Sequence, residues 1–92
     1  SWDITMYESE ILELFEEEEG NRLEFKEKFN DGVMKTISAF ANTYGGVIII
    51  GVSNGKQIVG IDLNDGSLQK IINEIIDNLN ITPEMEMIKI KQ

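Results

Sequence analysis

The sequence predicts a small α+β domain, a mixed β-sheet flanked by helices in the order α-β-α-β-β-α-β. Three observations carry that reading. Apolar residues recur with helical period in three segments. Between and after them lie short runs that alternate in polarity or are continuously β-branched, as strands are. The chain has 92 residues with 41% hydrophobic, enough for one core in one domain over residues 1–92.

Tyr7, Ile11, Leu14 and Phe15 fall at i, i+4, i+7 and i+8 and mark a first helix, which should end near Gly20. Glu16, Glu17, Glu18 and Glu19 at its end oppose the macrodipole, so this last turn is expected to be weak unless a cation offsets it. Arg22-Leu23-Glu24-Phe25-Lys26 alternates and reads as a strand. It turns Leu23 and Phe25 to one face and Arg22, Glu24 and Lys26 to the other. Asn30-Asp31-Gly32 breaks the pattern and offers Asp31 as N-cap of a second helix. Val33, Ile37, Phe40, Ala41 and Tyr44 form its apolar stripe, and Gly45-Gly46 stops it.

Val47-Ile48-Ile49-Ile50-Gly51-Val52 suits a central strand buried on both faces. Asn54-Gly55 is a hairpin signal, and Gln57 to Ile61 resumes strand character. Asp65-Gly66-Ser67 opens a third helix with a stripe of Leu68, Ile71, Ile72, Ile75, Ile76 and Leu79. Pro83 forbids helix at Thr82. Glu84 to Lys91 reads as a last strand, with a slip in its alternation at Met87-Ile88 that suggests a bulge. Because the chain stops inside that pattern, it is expected to be an N-terminal piece of a longer protein, truncated before its last strands.

The absence of Cys excludes a disulfide scaffold, a zinc ribbon and a thiol nucleophile. The absence of His removes imidazole bases and most transition-metal sites. Any chemistry must therefore run on carboxylates, Lys, Tyr or Ser. No apolar run approaches the ~20 residues of a membrane span, and no leader pattern is present, so no membrane partner and a cytoplasmic location are expected. The net charge is −9. Residues 1–19 hold eight acids and no base, whereas residues 20–92 hold nine acids against eight bases. The acidic surplus thus sits on one leading segment, and a nearly neutral body remains compatible with a polyanionic partner.

Gly51 to Lys56 superficially suggests a phosphate loop. Its spacing is one residue short of G-x-x-x-x-G-K, and Gln57 stands where a hydroxyl should reach magnesium. It also lies between strands, without a helix dipole, so a hairpin is expected and nucleotide hydrolysis is rejected. Glu19 and Glu24 are five residues apart around a Gly20-Asn21 turn, which can bring two carboxylates together. Such a pair can hold Mg²⁺ or Mn²⁺. The plain alternative is a surface pair of Glu24 with Lys26, which share a strand face.

Leu23-Glu24-Phe25-Lys26, then Thr36-Ile37-Ser38-Ala39-Phe40-Ala41-Asn42-Thr43-Tyr44-Gly45-Gly46, then Ile49-Ile50-Gly51-Val52 and Ile58-Val59-Gly60 together resemble the Schlafen-type AlbA-like domain. The match covers about residues 11–83, and the run from Ser38 to Gly46 is its most specific part. The resemblance implies an AlbA-like core and a nucleic-acid-binding domain, often the N-terminal part of transcriptional regulators or helicase-like proteins. It also implies a possible nuclease, since one branch of the family cuts transfer and ribosomal RNA with three acids and a divalent metal. On this sequence the first two acids of that site fall on Glu19 and Glu24. The third falls on Asn54, preceded by Ser53, so the triad is degenerate. An amide brings no charge and cannot act as a base. Asp62 is the nearest acid that could substitute.

Three functions follow as expectations. The first is a non-catalytic nucleic-acid-binding (DNA or RNA) domain without cofactor, attached to C-terminal domains of its parent protein. Arg22, Lys26, Lys28, Lys35 and Lys56 would contact phosphates. The second is a metal-dependent endoribonuclease using Glu19, Glu24 and Asn54 or Asp62 with Mg or Mn. The third is an assembly domain, a homodimer paired through the strand edge near Glu84–Lys91.

Overall fold

A computed structural model describes Glu13, residues 22–61, residues 65–85, Met87 and Ile88. The expected first helix lies outside the described residues except for Glu13, which is helical. Over the rest, the element order is β1 (Leu23–Lys26), α1 (Asp31–Ala41), β2 (Val47–Ile50) and α2 (Asp65–Leu79). This is a small α+β arrangement built on one β-α-β unit.

β1 and β2 pair in parallel, with Leu23 opposite Val47, Glu24 opposite Ile48, Phe25 opposite Ile49 and Lys26 opposite Ile50. Parallel neighbours need a long crossover, and α1 supplies it. The alternation expected for β1 is present: Leu23 and Phe25 are buried, Glu24 and Lys26 half-buried. Leu23 and Phe25 cluster with Val52, and Ile49 packs against them. Each such side chain contributes about 1.5–3 kcal/mol by leaving water. Val33 of α1 and Ile71 and Ile75 of α2 are buried as their stripes require.

The N-cap of α1 is Asn30, one residue before the expected Asp31. Its Oδ1 accepts from Gly32 N–H at 3.0 Å and Val33 N–H at 3.3 Å. Asp31 occupies the first turn instead, where its charge complements the helix dipole. The far end also differs. Regular helix stops at Ala41, so Ala41 and Tyr44 are exposed rather than part of the buried stripe. Gly45 takes φ +80°, which turns the chain into β2. Gly46 is needed for closeness: a Cβ there would stand 2.6 Å from Phe40 Cδ2 and 2.8 Å from Arg22 O.

β2 is less buried than its composition suggests. Val47 is 42% exposed and Ile48, Ile49 and Ile50 are half-buried. Among the described residues β2 has a single strand neighbour, so the apolar run is not sandwiched as a central strand would be. The expected strand at Gln57 to Ile61 reduces to one antiparallel bridge, Val52 with Ile58. Gly51 at φ +98° and Gly60 at φ +74° interrupt extended backbone on either side of it. Gly51 O accepts from both Val59 N–H and Gly60 N–H at 2.9 Å, which closes the arm. The described residues 84, 85, 87 and 88 carry no strand. Alternation there has no paired neighbour among the described residues, and pairing is what makes a strand.

α2 ends as a Pro-bounded helix should. Asn80 adopts φ +54° and donates its N–H to Ile76 O at 2.8 Å, an αL cap three residues before Pro83. No described helix is long and apolar enough to cross a membrane.

Candidate nucleic-acid interface

The polar face of β1 carries Glu24 and Lys26, two residues apart and therefore on the same side of the strand. Lys26 Nζ lies 3.8 Å from Glu24 Oε1, with both side chains close to 30% exposed. This is the plain ion pair that the spacing allowed. The same ammonium lies 3.9 Å from where a Cβ on Gly32 would stand, at the first turn of α1. Lys26 O accepts from Gly51 N–H at 2.7 Å and Val52 N–H at 3.1 Å. The end of β1 thereby holds the chain that leads into the Asn54 turn.

That turn is a three-residue loop rather than a two-residue one. Lys56 N–H donates to Ser53 O, and Ser53 N–H to Gln57 O, both at 2.9 Å. Gln57 N–H also reaches Ser53 Oγ at 3.2 Å. The residue with positive φ is Lys56, at +60°, and not Gly55. This is the type I turn followed by an αL residue that hairpins of this length favour. Asn54 sits exposed at its tip. The left-handed Lys56 directs its Nζ over the Phe25 ring, 5.7 Å from the centroid. Phe25 and Lys26 alternate along β1, so the Lys56 ammonium and the Glu24–Lys26 pair serve opposite faces of that strand.

The other expected cations are placed apart. Arg22 precedes β1 and its Nη2 donates to Tyr44 O at 3.3 Å. Four residues of extended chain put its backbone roughly 13 Å from that of Lys26. Lys28 lines a cleft of about 580 Å³ with Glu27, Phe29, Lys70 and Glu74. Lys35 lines a second cleft with Asp31, Met34, Glu74 and Asn78. The five cations therefore do not converge on one groove; Lys26 pairs with Glu24, and Lys28 and Lys35 share their clefts with acids.

Glu19 and Asp62, the other expected members of the acidic site, lie outside the described residues. Of the carried-over site, the described residues supply one carboxylate, Glu24, which already faces an ammonium, and one amide, Asn54. These two do not by themselves fit a divalent cation, and no catalytic step is derived through one. Tyr44 is the surface residue that sequence reasoning missed, because helical period assigned it to the core. The Gly45-Gly46 pair that follows was the available signal, since a helix stopped early swings the next aromatic outward.

The β-α-β unit, with its tightly closed helix exit and a mixed acid–base strand face, defines the chain as a small α+β domain. The chain belongs to the Schlafen, AlbA_2 family, whose model matches residues 19–92. The run from Ser38 to Gly46 forms the last turn and the exit of α1. Comparison with curated proteins finds no match, and comparison with solved structures finds none either.

Proposed function

We propose that this domain is a non-catalytic nucleic-acid-binding module of a larger regulator or helicase-like protein. Family membership supports a role connected with nucleic acid. The observation that favours binding over cleavage is the state of the acidic site: Glu24 lies 3.8 Å from Lys26 Nζ, and position 54 is an amide. An ammonium beside the carboxylate weakens its attraction for a cation and presents positive charge to a phosphate. Arg22 at the start of β1, Lys26 at its end and Lys56 over the Phe25 ring serve as separate points of contact for the backbone of the nucleic acid.

Fluorescence anisotropy with labelled DNA and RNA tests the reading. Binding is expected at ~50 mM salt and should fall steeply by ~200 mM. Lys26→Ala should weaken binding to all sequences alike and lower the salt slope by about 1. Incubating structured RNA with Mn²⁺ should leave it intact. Cleavage that is lost in Glu24→Ala would replace this reading with that of a metal-dependent endoribonuclease.

A further inference from the structure

We propose that Tyr44 and Arg22 form a stacking site for an unpaired base, so that the preferred ligand is single-stranded nucleic acid. This rests on the nucleic-acid-binding reading above and specifies its substrate class. Tyr44 is 88% exposed, the most exposed of the large hydrophobic side chains described. One exposed aromatic is ordinary on a protein surface. This one is distinguished by how it is held and by what stands next to it.

The backbone on both sides of Tyr44 is tied to one carbonyl. Thr43 N–H donates to Phe40 O at 3.1 Å and Gly45 N–H at 2.8 Å. Thr43 Oγ1 donates to the same oxygen at 3.0 Å. Tyr44 O accepts from Arg22 Nη2 at 3.3 Å, while Arg22 O accepts Val47 N–H at 2.8 Å. The phenol is therefore mounted on fixed backbone, which lowers the ordering cost of binding. A guanidinium has five N–H donors, and the bond to Tyr44 O uses one direction of that fork.

The chemistry that fits is a nucleobase against the ring, with its phosphodiester on the guanidinium. Stacking needs no net positive charge, and the chain carries −9. A protein so acidic gains less from phosphate contacts than a basic one does. In a duplex the base faces are already covered by their neighbours, whereas a single strand offers them. Aromatic stacking is also tolerant of sequence.

The test measures the 92-residue chain against a labelled single strand of about 16 nucleotides and the corresponding duplex. Tyr44→Ala should lower single-strand affinity about tenfold and leave duplex affinity unchanged. Tyr44→Trp should keep or raise single-strand affinity. The chain has one Trp, Trp2, so Tyr44→Trp combined with Trp2→Phe gives a single reporter whose emission should be quenched by the oligonucleotide. Circular dichroism matching the parent chain checks that each variant is folded. Single-strand affinity unchanged in Tyr44→Ala, with duplex binding intact, overturns this inference alone. Absence of binding to any oligonucleotide overturns both it and the reading on which it rests.

Discussion

Three residues show how a side chain, or its absence, sets local geometry. Gly46 lets β2 run close under Phe40 and against Arg22 O, and no side chain fits there. Gly46→Ala should cost about 2–3 kcal/mol in urea unfolding, since rigid backbone has to move. Gly51 combines φ +98° with Gly60 backbone 3.2 Å from a hypothetical Cβ, so Gly51→Ala should cost a similar amount. Lys56 presents the opposite case, a non-glycine residue held at φ +60°. Its αL conformation costs about 1 kcal/mol, and its ammonium over Phe25 returns about 0.5–1 kcal/mol. Lys56→Gly should therefore change stability by less than about 1 kcal/mol. Lys56→Val should cost about 2 kcal/mol, because a β-branched residue resists positive φ. Equal effects from the two replacements would show that the turn is not held as described. The Gly45-Gly46 pair was legible as a break in the pattern, whereas Gly51 was read inside the run from Val47 to Val52 and in fact ends β2 at Ile50. That Lys56, and not Gly55, takes the left-handed position was not, because Asn-Gly favours a shorter loop than the one that the Ser53–Gln57 pairing selects.

Among the elements, the α1 N-terminus separates two readings that differ by one residue. Asn30 bonds the free N–H groups of Gly32 and Val33, whereas Asp31 acts through charge in the first turn. Asn30→Ala should cost about 1 kcal/mol and Asp31→Ala about half of that, as read from urea midpoints. The reverse order would return the cap to Asp31. Asn80, at φ +54° beyond α2, accepts a left-handed cap at some cost, and Asn80→Gly should stabilise by about 0.5 kcal/mol. Helix α2 and strand β1 were legible because each has one consistent period: Ile71 and Ile75, like Leu23 and Phe25, are buried where that period puts them. The Gln57 to Ile61 segment was not, since two left-handed glycines limit it to a single bridge with Val52.

On the scale of the molecule, charge asymmetry and the spread of the cations govern binding. Eight acids precede residue 20 without a base, while the body is nearly neutral. Replacing Glu16 to Glu19 with Gln should tighten oligonucleotide binding several-fold at ~50 mM salt. The gain should shrink as salt shortens the Debye length to ~3 Å at 1 M. A gain that persists at high salt would mean that these residues act through contacts and not through their field. The five cations of the sequence reading are distributed over the start of β1, its end, the Phe25 ring and two clefts. Their number was legible in the sequence. Their separation was not, because Lys28 and Lys35 come to line clefts that include Glu74 only once α2 is brought beside them.

The sequence by itself determined the types of β1, α1, β2 and α2, the β1 alternation, the Pro-bounded end of α2 and the family, because each depends on residues within a few positions of one another. Tertiary structure alone decided the parallel pairing of β1 with β2, the half-burial of the Ile48 to Ile50 run and the outward Tyr44. The physical reason is that exposure depends on what arrives from elsewhere in the chain. Hydrophobic period states which face wants cover, and only packing states whether that face receives it.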